Sequence, residues 1–202
     1  MRLKLVTPPS VEPVTLAEAK LYLRVVDSTE DAMISSMITA ARVKCEAEFD
    51  RCFINTTWDL FFDGWPNDNA PIPTAWPGLV GTISVVRFPR ANLVSVDAVN
   101  YVDGAGITQL LDPSAYLVAT GAPGMMMPAY LRTWPPTRIQ LGSVVIRFTA
   151  GYGATADDVP ITDKQAVLMM TAMMYENRGE SAFEVPKFIT DLLAAGDWGS
   201  YS

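Results

Sequence analysis

The stretch Val14-Thr15-Leu16-Ala17-Glu18-Ala19-Lys20-Leu21-Tyr22-Leu23-Arg24, with Glu30-Asp31-Ala32-Met33-Ile34 shortly after it, decides how the chain begins. Thr15 followed three residues on by Glu18 is a capping-box arrangement, in which each side chain satisfies a backbone N–H beside the other. A helix is therefore predicted from Leu16 to about Arg24, with Leu16, Ala19 and Leu23 on one face. After the Asp27-Ser28-Thr29 break, Glu30 and Asp31 suit the positive end of a second helix. Met33, Ile34, Met37, Ile38, Ala41, Cys45 and Phe49 then recur at three- and four-residue steps, which carries that helix to about Arg51.

Working outward, the composition changes at residue 53. Residues 53–150 hold ten of the fifteen prolines, eight of the thirteen glycines and no lysine. Such punctuation forbids long helices. Short runs rich in β-branched and aromatic residues lie between the breaks and are predicted as strands: Thr56 to Phe62, Thr82 to Phe88, Val94 to Val102, Ile107 to Leu111, Ala115 to Ala119, Ala129 to Trp134 and Ser143 to Thr149. Asp103-Gly104-Ala105-Gly106 reads as a hairpin connection. Beyond residue 150 the helical pattern returns, from Pro160 to about Asn177 and from about Pro186 to Ala195, with Gly179 and Gly196 as stops. The expected fold class is α+β. A helical domain (1–52 and 151–180) is formed by N- and C-terminal helices, an antiparallel β-sandwich or barrel-like domain (53–150) is inserted into it, and 181–202 is a C-terminal segment.

Half of the 202 residues are hydrophobic and 18% are charged, which suits a folded chain and not a disordered one. No apolar run approaches the roughly 18 residues that span a bilayer, so no membrane partner is expected. Met1 to Pro9 lacks the features of a secretory signal, and synthesis in a reducing cytoplasm is expected. Cys45 and Cys52, seven apart, would sit about 10 Å apart along a continuous helix, too far for a disulfide, and are read as free core-facing thiols. The net charge of −7 is uneven: −1 for 1–52, −1 for 53–150 and −5 for 151–202. Without a Lys/Arg cluster the chain lacks the electrostatic footprint of a protein that grips nucleic acid, though not of one that DNA slides past.

Zero histidine removes the commonest general base and zinc ligand and every histidine-activated nucleophile. Asp157, Asp158 and Asp163 can be read as a divalent-metal cluster of a hydrolase or as carboxylates opening a helix; the second reading is preferred, and no metal or cofactor is expected. Gly151-Tyr152-Gly153 lacks the remaining glycine or lysine of a phosphate-binding loop and reads as a turn. Three apolar features point to partners. Met125, Met126 and Met127, between Gly124 and Pro128, form either an exposed loop interface or a loop folded over the β core. Leu168 to Tyr175 is apolar on nearly every side, so Met169, Met170, Met173 and Met174 are candidates for contact with a neighbouring subunit. Phe188, Leu192, Leu193, Trp198 and Tyr201 lie in an end segment expected to dock on a partner, the alternative being a fold back onto the parent domain. Deleting 183–202 is expected to leave a folded protein.

The order of these pieces carries a resemblance. Pro13 to Arg24, Asp31-Ala32-Met33-Ile34 and Ile38-Thr39-Ala40-Ala41-Arg42 resemble the start of tailed-phage head–tail connector proteins. Ala150-Gly151-Tyr152-Gly153, Val159-Pro160, Lys164-Gln165-Ala166 and Tyr175-Glu176-Asn177-Arg178-Gly179 resemble the same family's closing helix. Together they cover about residues 5 to 180 in order, and Trp58-Asp59-Leu60 and Gly64-Trp65-Pro66 are similar to the longer members. The resemblance implies a non-enzymatic virion protein, the adaptor, forming a ring of twelve copies beneath the portal at the capsid vertex. Its implied partners are the portal protein, neighbouring copies, a stopper or tail-completion protein, and double-stranded DNA passing through the channel. The end segment docks the portal in this family, which maps by position onto Phe188, Leu192, Leu193, Trp198 and Tyr201. A stopper or tail-completion role is the alternative within the neck.

Overall fold

A computed structural model describes residues 1–66, 69–71, 82–178 and 185–195. In chain order the elements are β1 (Arg2–Thr7), α1 (Leu16–Leu23), α2 (Asp31–Glu48), β2 (Thr56–Phe62), β3 (Asn69–Pro71), β4 (Thr82–Ser84), β5 (Val86–Arg87), β6 (Leu93–Val102), β7 (Thr108–Leu110), β8 (Tyr116–Ala119), β9 (Met125–Pro128), β10 (Val144–Ala150), α3 (Ile161–Glu176) and α4 (Lys187–Ala195). They form two compact units, one of residues 1–8 and 56–150, the other of 9–55 and 151–202.

The β unit has an open five-stranded antiparallel sheet in the order β1-β2-β10-β6-β7, a three-stranded sheet β5-β9-β8 and the two-stranded ladder β3-β4. The large sheet ends in two edges, so it is not a closed barrel. Along β10, Val144, Ile146, Phe148 and Ala150 are buried while Arg147 faces out, the period of two that a sheet with one covered face requires. Arg147 reaches across to its register partner Asp59 on β2 with two hydrogen bonds of 2.8 and 2.9 Å. Phe88, just after β5, packs on Phe148 with ring centroids 4.9 Å apart, which joins the two sheets in one core.

Three expectations need correction here. Arg2–Thr7, placed in the helical domain on sequence, is an edge strand of the β unit, because its alternating Leu3 and Leu5 pair with Leu60 and Trp58 of β2. Met125–Pro128 is the central strand of the small sheet and not a loop, with Met126 fully buried. Ala129 to Trp134 is not a strand: Leu131 takes a positive φ of 58° in a turn, and the segment is held by side chains. Trp134 stacks on Trp65 (centroids 4.3 Å) and donates its indole N–H to the Ser84 carbonyl, while Trp65 donates to that of Pro135.

In the helical unit the Thr15–Glu18 capping box opens α1 as expected. α2 buries Ile34, Ile38, Ala41 and Cys45, and α3 buries Ala166, Val167 and Met170; with Phe53, Ile54, Ile189 and Leu193 they form one core. The chain leaves this unit after Asn55 and returns at Gly151, and the two passages are clasped side by side. Ile54 and Gly153 form a parallel bridge, Asn55 donates to the Gly153 carbonyl (2.8 Å), and Tyr152 donates to that of Phe53 (3.1 Å). The backbones approach so closely that a Cβ on Gly151, which has φ +153°, would lie 2.6 Å from the Asn55 nitrogen. Only glycine fits there without displacement. Gly151→Ala is expected to lower unfolding free energy by about 1 to 3 kcal/mol, the usual cost of overpacking, as read by urea denaturation.

Candidate functional site

Each carboxylate of the supposed metal cluster has a separate employment. Asp158 accepts from the backbone N–H and hydroxyl of Thr155 (2.9 and 2.8 Å), closing a capping box that fixes residues 154–158; these bonds hold its carboxyl below the usual range. Asp163 is fully buried, 3.6 Å from the Arg51 guanidinium. Asp157 is solvent-exposed and 3.8 Å from Lys164. Among the described residues no three metal-ligating groups converge. The triad offered for a hydrolase therefore dissolves into a helix opening, an ion pair and a surface charge.

The buried polar groups of the helical unit serve its own architecture. Arg42 bonds Glu12 and Glu46 (2.8 and 2.7 Å), and Glu46 also accepts from the Phe53 N–H (2.8 Å), so one ion network ties the segment before α1 to α2 and to the clasp. At the other end of α2, Glu30 accepts from the Tyr175 hydroxyl and, at 2.7 Å, from Arg178, whose guanidinium lies 3.9 Å from the Tyr175 ring centre. The Tyr175-to-Arg178 piece of the family resemblance is thus a lock between α3 and the start of α2. Its hydrogen bonds, that from Tyr175 first, hold Glu30 below the usual carboxylate range.

The partner-facing candidates divide by burial. On α3, Met170 is completely enclosed, and Met169, Met173 and Met174 are half-buried against the unit's own core. The surplus apolar surface read from sequence is largely covered by α1, α2 and α4, which pack around the helix. On α4, Leu193 and Ile189 are fully buried and Leu192 packs beside them, whereas Phe188 is 54% exposed. The docking expectation is corrected for Leu193: the described part of the end segment folds back, because an amphipathic helix does not specify which apolar surface covers it. Burial of Ile189 and Leu193 contributes about 1.5 to 3 kcal/mol each, so deleting 183–202 is expected to uncover part of the core and to lower the stability of the unit. Trp198 and Tyr201 lie outside the described residues. In the β unit, Met126 is core and Met125 and Met127 are half-buried.

Sequence reading missed a groove of about 520 Å³ in the helical unit. Its lining comes from Val11, Val14 and Leu16, from Ile38 and Thr39 of α2, and from Ala154 to Ala156. The signal present in the sequence was the capping pair Thr155–Asp158, whose bonds hold the lining residue Thr155.

No protein-family model matches the sequence, and no curated protein matches it. Solved structures do. The chain is similar to a chain in the neck of an empty gene transfer agent (GTA) particle computed with C6 symmetry (25% identity, TM-score 0.74), and to one in the virion of the native GTA particle (24%, 0.75). A third is in the neck of the native GTA particle computed with C12 symmetry (23%, 0.70); each match covers 96% of this chain and 94% of the other. Two of these neighbours are chains in a particle neck and the other a chain in a virion, consistent with the head–tail connector resemblance carried by the terminal helices.

Two outcomes test these assignments. Cys45 and Cys52 are buried and form no disulfide, and burial, reinforced by the nearby Asp163 charge, pushes the Cys45 thiol up to about 12. Neither thiol is expected to react with a disulfide reagent at pH 8 until the protein unfolds. Asp158→Ala is expected to lower the melting temperature at pH 7, and millimolar Mn²⁺ to leave wild type unshifted. Because the native carboxyl is held low, its contribution is full above the unfolded value, about 4. It is lost as pH falls through the lower native value, so the gap between wild type and variant closes on acidification.

Proposed function

We infer that the chain is a structural protein of a phage-like neck, the head–tail adaptor that forms a ring between the portal and the tail. The observation that carries this reading is the likeness, over 96% of the chain and across both units, to a chain in the neck of a GTA particle. The symmetric neck assemblies support a ring of identical copies, which extends the DNA channel and offers a platform to a stopper or tail-completion protein. The carboxylates and buried ions described above are engaged in holding the fold, which favours a structural over an enzymatic role. A net charge of −7 suits a channel through which double-stranded DNA slides without being held. Among the described residues no helix is long and apolar enough to cross a membrane. The place of action is the virion neck, after assembly in the host cytoplasm.

Portal docking is assigned to the end segment, with Phe188 as its exposed described anchor and Trp198 and Tyr201 beyond. Met169, Met173 and Met174 retain partial exposure and are the α3 residues left to meet a neighbour. Phe188→Ser combined with removal of 196–202 spares Ile189 and Leu193, so the fold is expected to survive. Mixed with purified portal rings and followed by sedimentation, this variant is expected to stay free while wild type co-sediments. Equal co-sedimentation would remove the docking assignment; wild type that never joins the portal would favour a stopper or tail-completion role.

A further inference from the structure

We propose that β1 is an exchangeable strand: in a free copy it covers its own β2, and in the assembled neck Arg2–Thr7 of one copy pairs with β2 of the next. The proposal rests on the ring reading above, which brings copies side by side, and adds the segment that passes between them.

The two edges of the large sheet are held in unlike ways. β7 follows β6 through the Asp103–Gly106 turn, closed by the Asp103 N–H donating to the Ile107 carbonyl at 3.0 Å, so a hairpin keeps it on its own neighbour. β1 has no hairpin. Residues 9–55, all in the helical unit, separate it from its partner β2. Its seat is also shallow: of Arg2–Thr7 only Leu3 is half-buried, Leu5 and Val6 are 44% and 38% exposed, and the register shifts after Leu5. The ladder to β2 is what holds the strand, and β2 of any copy offers the same ladder.

The receiving edge selects this strand by more than its backbone. Leu3 and Leu5 stand opposite Leu60 and Trp58, Lys4 opposite Asp59, and the Arg2 guanidinium lies 5.5 Å over the Phe61 ring. Opposite charges across the pair and a cation on an aromatic face fix the register. An element exchanged between identical copies keeps all of these contacts.

With contacts equal in the two arrangements, the crossing decides between them. Pro8 and Pro9 follow directly on Thr7, and each restricts the residue before it to extended backbone, so Thr7 and Pro8 do not fold the chain back. The chain is next fixed at Glu12, which accepts from Thr39 and Arg42 at 2.8 Å each. Pro8 to Val11 thus form a stiff crossing with a reach of about 12 Å, the span of an extended proline-rich segment of that length. In a ring the neighbouring edge stands at high effective concentration, and a crossing that resists folding back favours it. In a free copy β1 covers the edge of β2, which guards against pairing with the wrong chain.

The test uses the full chain, free and on portal rings. Arg2 and Phe61 are register partners on the same side of the sheet as Arg147, away from the core, and residues so opposed lie within the span of a disulfide. Buried Cys45 and Cys52 do not compete. Oxidised in dilute solution, Arg2→Cys/Phe61→Cys is expected to give an internally linked monomer. Oxidised on portal rings, it is expected to give a ladder of covalent multimers ending in a closed ring, and Lys4→Cys/Asp59→Cys, the same side of the strand one pair on, the same pattern. Mixed rings of Arg2→Cys and Phe61→Cys copies are expected to yield a covalent dimer that neither variant yields alone. Linked monomers only, from intact rings of both double variants, would overturn the exchange and leave the ring reading standing. So would a dimer from Arg2→Cys alone, which would set two β1 strands against each other. Wild type that forms no ring on the portal would overturn both.

Discussion

The clasp between Phe53–Asn55 and Gly151–Gly153 is the constraint on which the helical unit depends. The long stretch between these passages belongs to the β unit, so exit and return must be adjacent for α2 and α3 to share a core. Two backbone hydrogen bonds, from Asn55 to Gly153 and from Tyr152 to Phe53, do this, and Phe53 and Ile54 beside them are fully buried. Arg51 and Asp163 stand beside the clasp, with the Tyr152 hydroxyl 3.3 Å from the guanidinium. Removing one partner of such a buried pair costs more than the pair contributes, because the other charge is left uncompensated. The clasp thereby links the end of α2, the returning chain and the start of α3.

Around it, polar side chains act as ties between segments distant in sequence. Glu12–Arg42–Glu46, Lys20–Asp31 and Glu30–Arg178 each join two elements, and each is half-buried or better at one partner. Several of the family-like pieces of the sequence fall on these ties and on the clasp, among them Lys20, Asp31, Arg42, Arg178 and Gly153. Resemblance in this chain is therefore a record of how a helical unit is held together while carrying a β unit between its halves.

Much of this was legible in the sequence where the determinants are local. The Thr15–Glu18 box, the α2 apolar stripe, the α3 and α4 limits and the Asp103–Gly106 hairpin all follow from nearest neighbours, and β2 falls where its residue types place it. What was hidden is set by distant partners. Arg2–Thr7 becomes a strand only because β2, some fifty residues later, offers it an edge. Met125–Pro128 looks like a loop between Gly124 and Pro128 until β5 and β8 flank it. Ala129 to Trp134 has strand-forming residue types, yet the Trp65–Trp134 stack and indole hydrogen bonds hold it as a turned segment. The same limit explains α4: its periodicity announces an apolar face, and only the fold says that Ile189 and Leu193 belong to the chain's own core. The groove beside α2 was invisible because its lining comes from three separate stretches.

We propose that this molecule is one component of a cyclic neck between portal and tail. A cryo-electron density map of the neck of an intact particle containing it tests that most directly. The expected density is a closed ring of identical copies in contact with the portal on one side and with the next neck or tail protein on the other, the DNA channel passing through its centre. Density for a single copy, for a ring that does not touch the portal, or for no copy in the neck would contradict it.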